Sequence, residues 1–298
     1  MTDRMLIFDR KLVRERRQRL ARELAQAGFL LREIAERLVE RLEDVRHPLR
    51  RVLVLGGSDG LLEAALAQRP GCELVLTTDE VTGMLGPGQG LRVVVDAETL
   101  PFGPGRFDAV LSPMLLHWVN DLPGTLAQLH ACLAPDGLLL LAMPGGETLF
   151  ELRQALLQAE LECEGGASLR VSPFTDVRDA GGLLQRAGFA LPVADVDRLT
   201  VSYADPLRLM RELGRMGEGN ALRQRRAGPL RRQTLIRACE LYRERFGDPD
   251  GRVPATFDIL FMAAWKPHAS QPKPAPRGSA TLRLADALRT PVSPSSGD

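Results

Sequence analysis

Little in this sequence can hold a metal or close a disulfide. The four cysteines, Cys72, Cys132, Cys163 and Cys239, stand far apart. Neither a Cys-x-x-Cys redox spacing nor a zinc-knuckle spacing exists, and all four read as reduced thiols. The four histidines, His47, His117, His130 and His268, are equally scattered, so no metal is expected. A facial triad of two histidines and a carboxylate, the usual cradle of an oxidising iron, is not recognisable. No apolar run approaches the roughly 20 residues that cross a bilayer, which leaves only peripheral membrane contact open. Charge of one sign is missing too: Lys+Arg 39 against Asp+Glu 38 gives a formal charge of +1, with no bulk field to recruit nucleic acid. Met1 to Asp9 lacks a signal-peptide apolar stretch and carries Asp3 and Asp9, unlike a transit peptide.

What is present is apolar patterning. A chain of 298 residues with 44% hydrophobic residues can bury one large core, or a core and a small subdomain. Residues 1–50 read as a helical segment. Arg10 to Arg22 is rich in arginine, and Leu20, Leu24, Ala27, Leu31, Ile34, Leu38 and Leu42 make one amphipathic stripe, with a break expected near Gly28. The arginines are expected to form either a solvated face or a contact for an acidic partner. Residues 51–145 alternate short apolar runs with helical patterns. Strands are expected at Val52–Leu55, Glu73–Thr78, Leu91–Val95, Phe107–Leu111 and Leu138–Met143, with helices at Leu61–Gln68 and Pro123–Leu133. That rhythm implies an α/β fold with a parallel sheet covered on both faces. Residues 146–266 are expected to complete the sheet and add a helical cap over the strand ends. Helices are read at Glu147–Glu162, from Asp176 to Ala187, at Pro206–Met216 and at Pro229–Phe246, a strand or two over Phe189–Tyr203, and a late strand at Phe257–Trp265. Residues 267–298, rich in Pro, Ser, Ala and Arg, read as a disordered tail.

Chemistry is expected at the strand ends. The first strand runs into Gly56, Gly57, Ser58, Asp59 and Gly60, then a helix. Glycines let a ligand approach the backbone, and the helix start offers free N–H donors. The second strand ends in Asp79, placed to accept from a ribose diol. The third is followed by Asp96 and Ala97, where the carboxylate can accept from an adenine amino group beside apolar side chains. No Walker lysine follows the glycines, which argues against a P-loop. His117 and Trp118 come after the fourth strand. A histidine there can serve as a general base and a tryptophan can stack on a planar or cationic substrate; packing under the next helix is the alternative for both.

These motifs resemble those of class I S-adenosylmethionine-dependent methyltransferases. Closer signatures are Phe8-Asp9-Arg10, Leu116 to Leu122 (Leu-His-Trp-Val-Asn-Asp-Leu), Gly145 to Leu149, Ser172-Pro173-Phe174, Met216-Gly217-Glu218 with Asn220, and Val253 to Phe257. They are similar to the mitochondrial complex I assembly factor 5 family and, more distantly, to the malonyl-acyl carrier protein methyltransferases of biotin synthesis. The resemblance implies a Rossmann-like seven-stranded fold with N-terminal helices and a helical cap. It also implies S-adenosylmethionine as cofactor, held by Gly56, Gly57, Ser58, Gly60, Asp79, Asp96 and Ala97, with His117 and Trp118 as catalytic candidates. As partner it implies a protein substrate, a quinone-site subunit of complex I, in a bacterial cytoplasm or, for a processed chain, the mitochondrial matrix.

Two departures stand out. The resemblance implies an acid two residues before the first glycine, where this chain has Val54, and a glycine where it has Ser58. Losing one charge-assisted hydrogen bond costs about 1.5–3 kcal/mol, so restoring the acid by Val54→Asp is expected to tighten cofactor binding. Three functions stay open at this point: a methyltransferase, an arginine-hydroxylating assembly factor for complex I, and a scaffold that has lost its cofactor.

Overall fold

The computed structural model describes residues 6–57, 60–86, 90–226, 228–272 and 279. The tail expected from residue 267 lies largely outside these, as does Ser58. The chain opens with helices α1 (Arg10–Ala27) and α2 (Phe29–Glu43). Asp9 caps α1, its carboxylate accepting from Leu12 N at 3.2 Å. The two helices break at Gly28, where a side chain could not fit: an added Cβ would lie 2.4 Å from the Leu24 carbonyl oxygen.

Alternation of strands and helices follows: β1 (Arg51–Leu55), α3 (Leu61–Gln68), β2 (Leu74–Asp79), β3 (Leu91–Val94), β4 (Phe107–Pro113), α4 (Leu122–Cys132) and β5 (Leu133–Pro144). The second half adds α5 (Phe150–Glu164), α6 (Val177–Arg186), β6 (Ala190–Tyr203), α7 (Pro206–Arg215), α8 (Arg232–Phe246) and β7 (Val253–Trp265). Short polar side chains start several of these helices. Asp121 accepts from Gly124 N at 2.8 Å, Asp176 from Arg178 N and Asp179 N at 2.8 and 2.9 Å, and Asp205 from Arg208 N at 3.0 Å.

The seven strands form one sheet in the order β3-β2-β1-β4-β5-β7-β6. The first five are parallel; β7 lies antiparallel between β5 and β6. The parallel sheet read from the β/α rhythm of residues 51–145 is present as β1–β5, and β7 and β6 complete a mixed seven-stranded sheet. Several boundaries moved. β5 starts at Leu133, five residues before its expected run, and the helices read from Glu147 and Pro229 start at Phe150 and Arg232. The Phe189–Tyr203 stretch gives one edge strand, β6, with a register shift between Ala190 and Val193, and β7 starts at Val253, four residues before the apolar run that announced it, because its ladder to β6 continues to Tyr203↔Val253.

Period-two alternation sorts β1 between two cores. Val52 and Val54 pack with Leu20, Ile34, Leu38 and Leu62, while Leu53 and Leu55 pack with Leu126, Leu129, Ala180 and Leu184. α1, α2, α3, α7 and α8 thus contribute to one layer and α4 and α6 to the other. Among the described residues no helix is long and apolar enough to cross a membrane.

Candidate active site

The glycine turn leaves β1 at Gly56 with φ +105°, a conformation that favours glycine. Gly57 passes so close to the 3-10 turn at Thr82–Leu85 that an added Cβ would lie 2.1 Å from Met84 O. The turn is tied to β2 through Asp79, whose Oδ2 accepts from Gly57 N at 2.9 Å and whose Oδ1 accepts from Val81 N at 3.1 Å.

Asp79 has a further partner that sequence reasoning missed. Arg17 of α1 donates from Nη2 to Asp79 Oδ2 at 2.5 Å and from Nε to Oδ1 at 3.4 Å. Both side chains are buried. One turn earlier, Arg14 donates to Asp96 Oδ2 at 2.7 Å and to Glu80 Oε2 at 3.3 Å. Arg10 donates to Asp96 Oδ1 at 2.8 Å, pairs with Glu98 at 2.6 Å and also bonds Glu80. Positions 10, 14 and 17 lie on one face of a helix, so a single face of α1 clasps the acids at the ends of β2 and β3.

The arginine-rich segment is thereby corrected. Arg17 is buried and Arg14 is paired within the molecule; of the arginines expected to meet solvent or an acidic partner, Arg19 and Arg22 are exposed. The signal for the clasp was in the sequence, as arginines at helical spacing facing acids at two strand ends, but composition alone does not pair them. The clasp ties Asp79, bonded to the turn at Gly57, to the same helix face as Asp96; Asp96 borders an open cleft, whereas Asp79 is fully buried. Ala97 too is fully buried, in the core beside Leu115 and Leu116.

Burial opposes ionisation of Asp96, but the Glu98 N–H and the Arg10 guanidinium outweigh it and hold the carboxyl below its ordinary range. The native state then binds this proton less readily than the unfolded chain. Its contribution is present above the ordinary aspartate pKa of about 3.9 and is lost as pH falls through the lower native value. The Asp96→Asn variant should therefore regain stability relative to wild type on acidification between about pH 5 and 3. Urea midpoints that run parallel across that window would contradict this origin of the shift.

His117 and Trp118 sit in a 3-10 turn after β4. Trp118 is buried, edge-on to Phe8 with ring centroids 5.3 Å apart. His117 is buried as well, and its Nε2 lies 3.1 Å from Glu218 Oε2. Its Nδ1 has no hydrogen-bond partner among the described residues. Glu218 was quoted only as part of a motif, and nothing in its spacing linked it to His117, 101 residues away. Glu218 and Trp118 line a cavity of about 280 Å³ walled mainly by apolar groups such as Met114, Leu149, Leu152 and Phe257, with Thr148, Ser172 and Asn220 also on its lining. Arg170 also reaches it but is held by Glu160 at 2.6 Å. The cavity runs between the ends of β4 and β5 and the helices α5 and α7. Among the described residues no cluster of His, Cys, Asp or Glu forms a metal set.

A fit to S-adenosylmethionine is visible at two places and closed at a third. Gly60 has open space beside its Cα, whereas Gly56 and Gly57 are packed against Leu115 and Met84, and Asp96, 41% exposed, borders an open cleft of about 690 Å³. Asp79, where a ribose diol would bind, has its oxygens engaged by Arg17 and two backbone N–H groups. Val54 is fully buried among apolar side chains. A carboxylate added there would be unpaired in the core, costing several kcal/mol, so the gain expected of Val54→Asp is not carried by this packing.

A family model described as a methyltransferase domain matches residues 13–192. The chain belongs to the methyltransferase-domain family. Relatives of this methyltransferase-fold enzyme include the arginine-hydroxylase NDUFAF5, mitochondrial, of Danio rerio, 41% identical over 95% of this chain and 89% of the relative. A malonyl-[acyl-carrier protein] O-methyltransferase of Halorhodospira halophila is 37% identical over 87% of this chain and 88% of its own. Among solved structures, the YcgJ protein of Bacillus subtilis superimposes with a TM-score of 0.54 at 13% identity, covering 80% of this chain and 99% of that one. That likeness speaks for the seven-stranded class I methyltransferase fold.

Proposed function

We propose that this methyltransferase-fold enzyme modifies a cationic side chain, an arginine of a protein partner, with S-adenosylmethionine held at Gly56, Gly57, Gly60, Asp79 and Asp96. Ser58, outside the described residues, belongs to the same proposed set. The observation that carries the reading is the apolar cavity with Glu218 at its wall. An aliphatic stem ending in a cation suits such a lining, because the stem buries against Met114, Leu149 and Leu152 while the charge meets a carboxylate.

His117 supplies the base. With its Nε2–H donated to Glu218, Nδ1 keeps a lone pair for a proton from the substrate nitrogen; the ring lines the neighbouring cavity of about 270 Å³ beside Met143 and Phe174, so the nitrogen is proposed to reach it past Glu218 and Trp118. Bound S-adenosylmethionine supplies an electrophilic methyl group, and the chain's own task is then orientation and removal of that proton. A relative named an arginine hydroxylase supports the second outcome at the same arginine, addition of oxygen. We take the partner to be a quinone-site subunit of complex I.

Mass spectrometry of that subunit from a deletion strain and its parent is the test. An arginine that loses the mass of a methyl group or of an oxygen in the deletion strain is the expected result, and the mass decides the chemistry. Identical arginine masses in the two strains would overturn the reading.

A further inference from the structure

The cavities around His117 adjoin. The open cleft of about 690 Å³ shares Phe8 and Asn120 with the pocket of about 270 Å³ that His117 lines, and that pocket shares Pro144 and Phe174 with the cavity holding Glu218. A chain segment laid across them meets a charged wall first, an apolar wall next and the Glu218 carboxylate last.

The open cleft is rich in cations. Arg10, Lys11, Arg14, Arg223 and Arg225 line it, and the carboxylates among them are already answered within the protein. Asp9 accepts from Leu12 N at 3.2 Å and meets Arg225 at 3.1 Å. Asp96 holds Arg10 and Arg14 at 2.8 and 2.7 Å. Glu98 meets Arg10 at 2.6 Å and accepts from Asn120 N, and the buried Glu80 bonds the same two arginines of α1. Lys11 is exposed and has no ion-pair partner among the described residues. Arg223 is exposed as well; the Leu12 N–H and then the Arg225 and Arg223 charges hold the Asp9 carboxyl below its ordinary range. Arg16, half-buried beside Arg225, is held below its own ordinary range by burial and then by the charges of Arg225 and Arg19. Cations crowd this end of α1, and a carboxylate brought from outside lowers their mutual repulsion.

We infer that the protein partner carries acidic residues a few positions from its target arginine, and that their carboxylates dock in the open cleft against Lys11 and Arg223. The inference rests on the proposed arginine modification and adds what selects one arginine among many. The intervening residues cross the His117 pocket, whose apolar lining of Leu116, Leu122 and Met143 keeps water from the imidazole. An arginine without such neighbours gains only the Glu218 contact, so selection is a difference of affinities set at the cleft. Contacts between exposed charges of this kind also weaken with added salt.

Calorimetry on the full chain, with S-adenosylhomocysteine present, tests this with three peptides. The parent is Glu-Glu-Ala-Gly-Ala-Arg-Ala-Gly-Ala-Glu-Glu, which offers acids in either chain direction. One relative has every glutamate replaced by glutamine, and the other has the arginine replaced by glutamine. Wild type should bind the parent roughly 2- to 30-fold more tightly than the glutamine-flanked relative, as expected of two exposed ion pairs. In Lys11→Glu/Arg223→Glu that preference should vanish or reverse. Arg22→Glu, exposed on the same helix but outside the cleft lining, should keep it. Thermal unfolding checks the folding of each variant, and Lys11→Glu alone, at an exposed position, should still reduce the preference if the double variant does not fold. An equal preference in wild type and the charge-reversed chains overturns the inference, and so does a wild type that binds no peptide or does not distinguish the two flanks. A wild type that favours the acidic flanks but binds the arginine and glutamine centres equally defeats the arginine reading instead, and leaves the cleft as the docking surface.

Discussion

Arg17→Met should lower the unfolding free energy by about 3–5 kcal/mol, the cost of leaving a buried charge without its partner. Asp79 is fully buried and would keep only the Gly57 and Val81 N–H groups. Methionine fills much of the same volume, so the loss is electrostatic more than a cavity effect. The double variant Arg17→Met/Asp79→Asn should be more stable than Arg17→Met alone. The amide keeps one acceptor for the backbone, and no charge is stranded. Urea unfolding of the three chains reads this directly. A loss under about 0.5 kcal/mol for Arg17→Met, the range of ordinary surface substitutions, would mean that water or another group replaces the arginine without penalty, and that α1 does not clamp the strand ends. The same variant bears on binding: with Arg17 gone, Asp79 becomes available to a ribose diol.

Removing the imidazole by His117→Ala should slow arginine modification by roughly 10²-fold or more, the usual contribution of a positioned base. Glu218→Gln should slow it less. A neutral amide oxygen still accepts from Nε2–H and still selects the tautomer, but it no longer stabilises the imidazolium that forms. The measurement is the rate of mass gain on the purified partner subunit, with S-adenosylhomocysteine affinity as a control that should stay constant. Rates within threefold of wild type for both variants would reduce His117 and Glu218 to packing groups beside Trp118.

The parts of the fold carried by local rules were legible in advance. The β1–β5 run, the cap at Asp176 and the start of α7 at Pro206 follow from apolar period and short polar side chains, whereas α8 begins three residues beyond Pro229. The break at Gly28 and the stripe through Leu20, Ile34 and Leu38 were equally local. The order of the last two strands was not, because antiparallel insertion of β7 depends on pairing partners 60 residues apart, such as Arg198 with Asp258, that no pattern in either segment announces.

The same division runs through the site. Gly57, Asp79 and Asp96 stood out by position at successive strand ends. Arg10, Arg14 and Arg17 read as a charged helix face, and it takes tertiary packing to turn that face onto acids 62 to 86 residues away.

The position of β7 sets a schedule for biosynthesis. It lies between β5 and β6, yet it is made after both, together with the helices that separate them in the chain. During translation, at some 5–20 residues per second, Leu138–Pro144 and Ala190–Tyr203 wait with unpaired edges until Val253–Trp265 leaves the ribosome. Ile259, Leu260 and Phe261, all buried in the finished sheet, close both gaps at once. Messages that stop short of this strand yield a nascent chain with two open β-edges, a natural client for holdase chaperones and proteases.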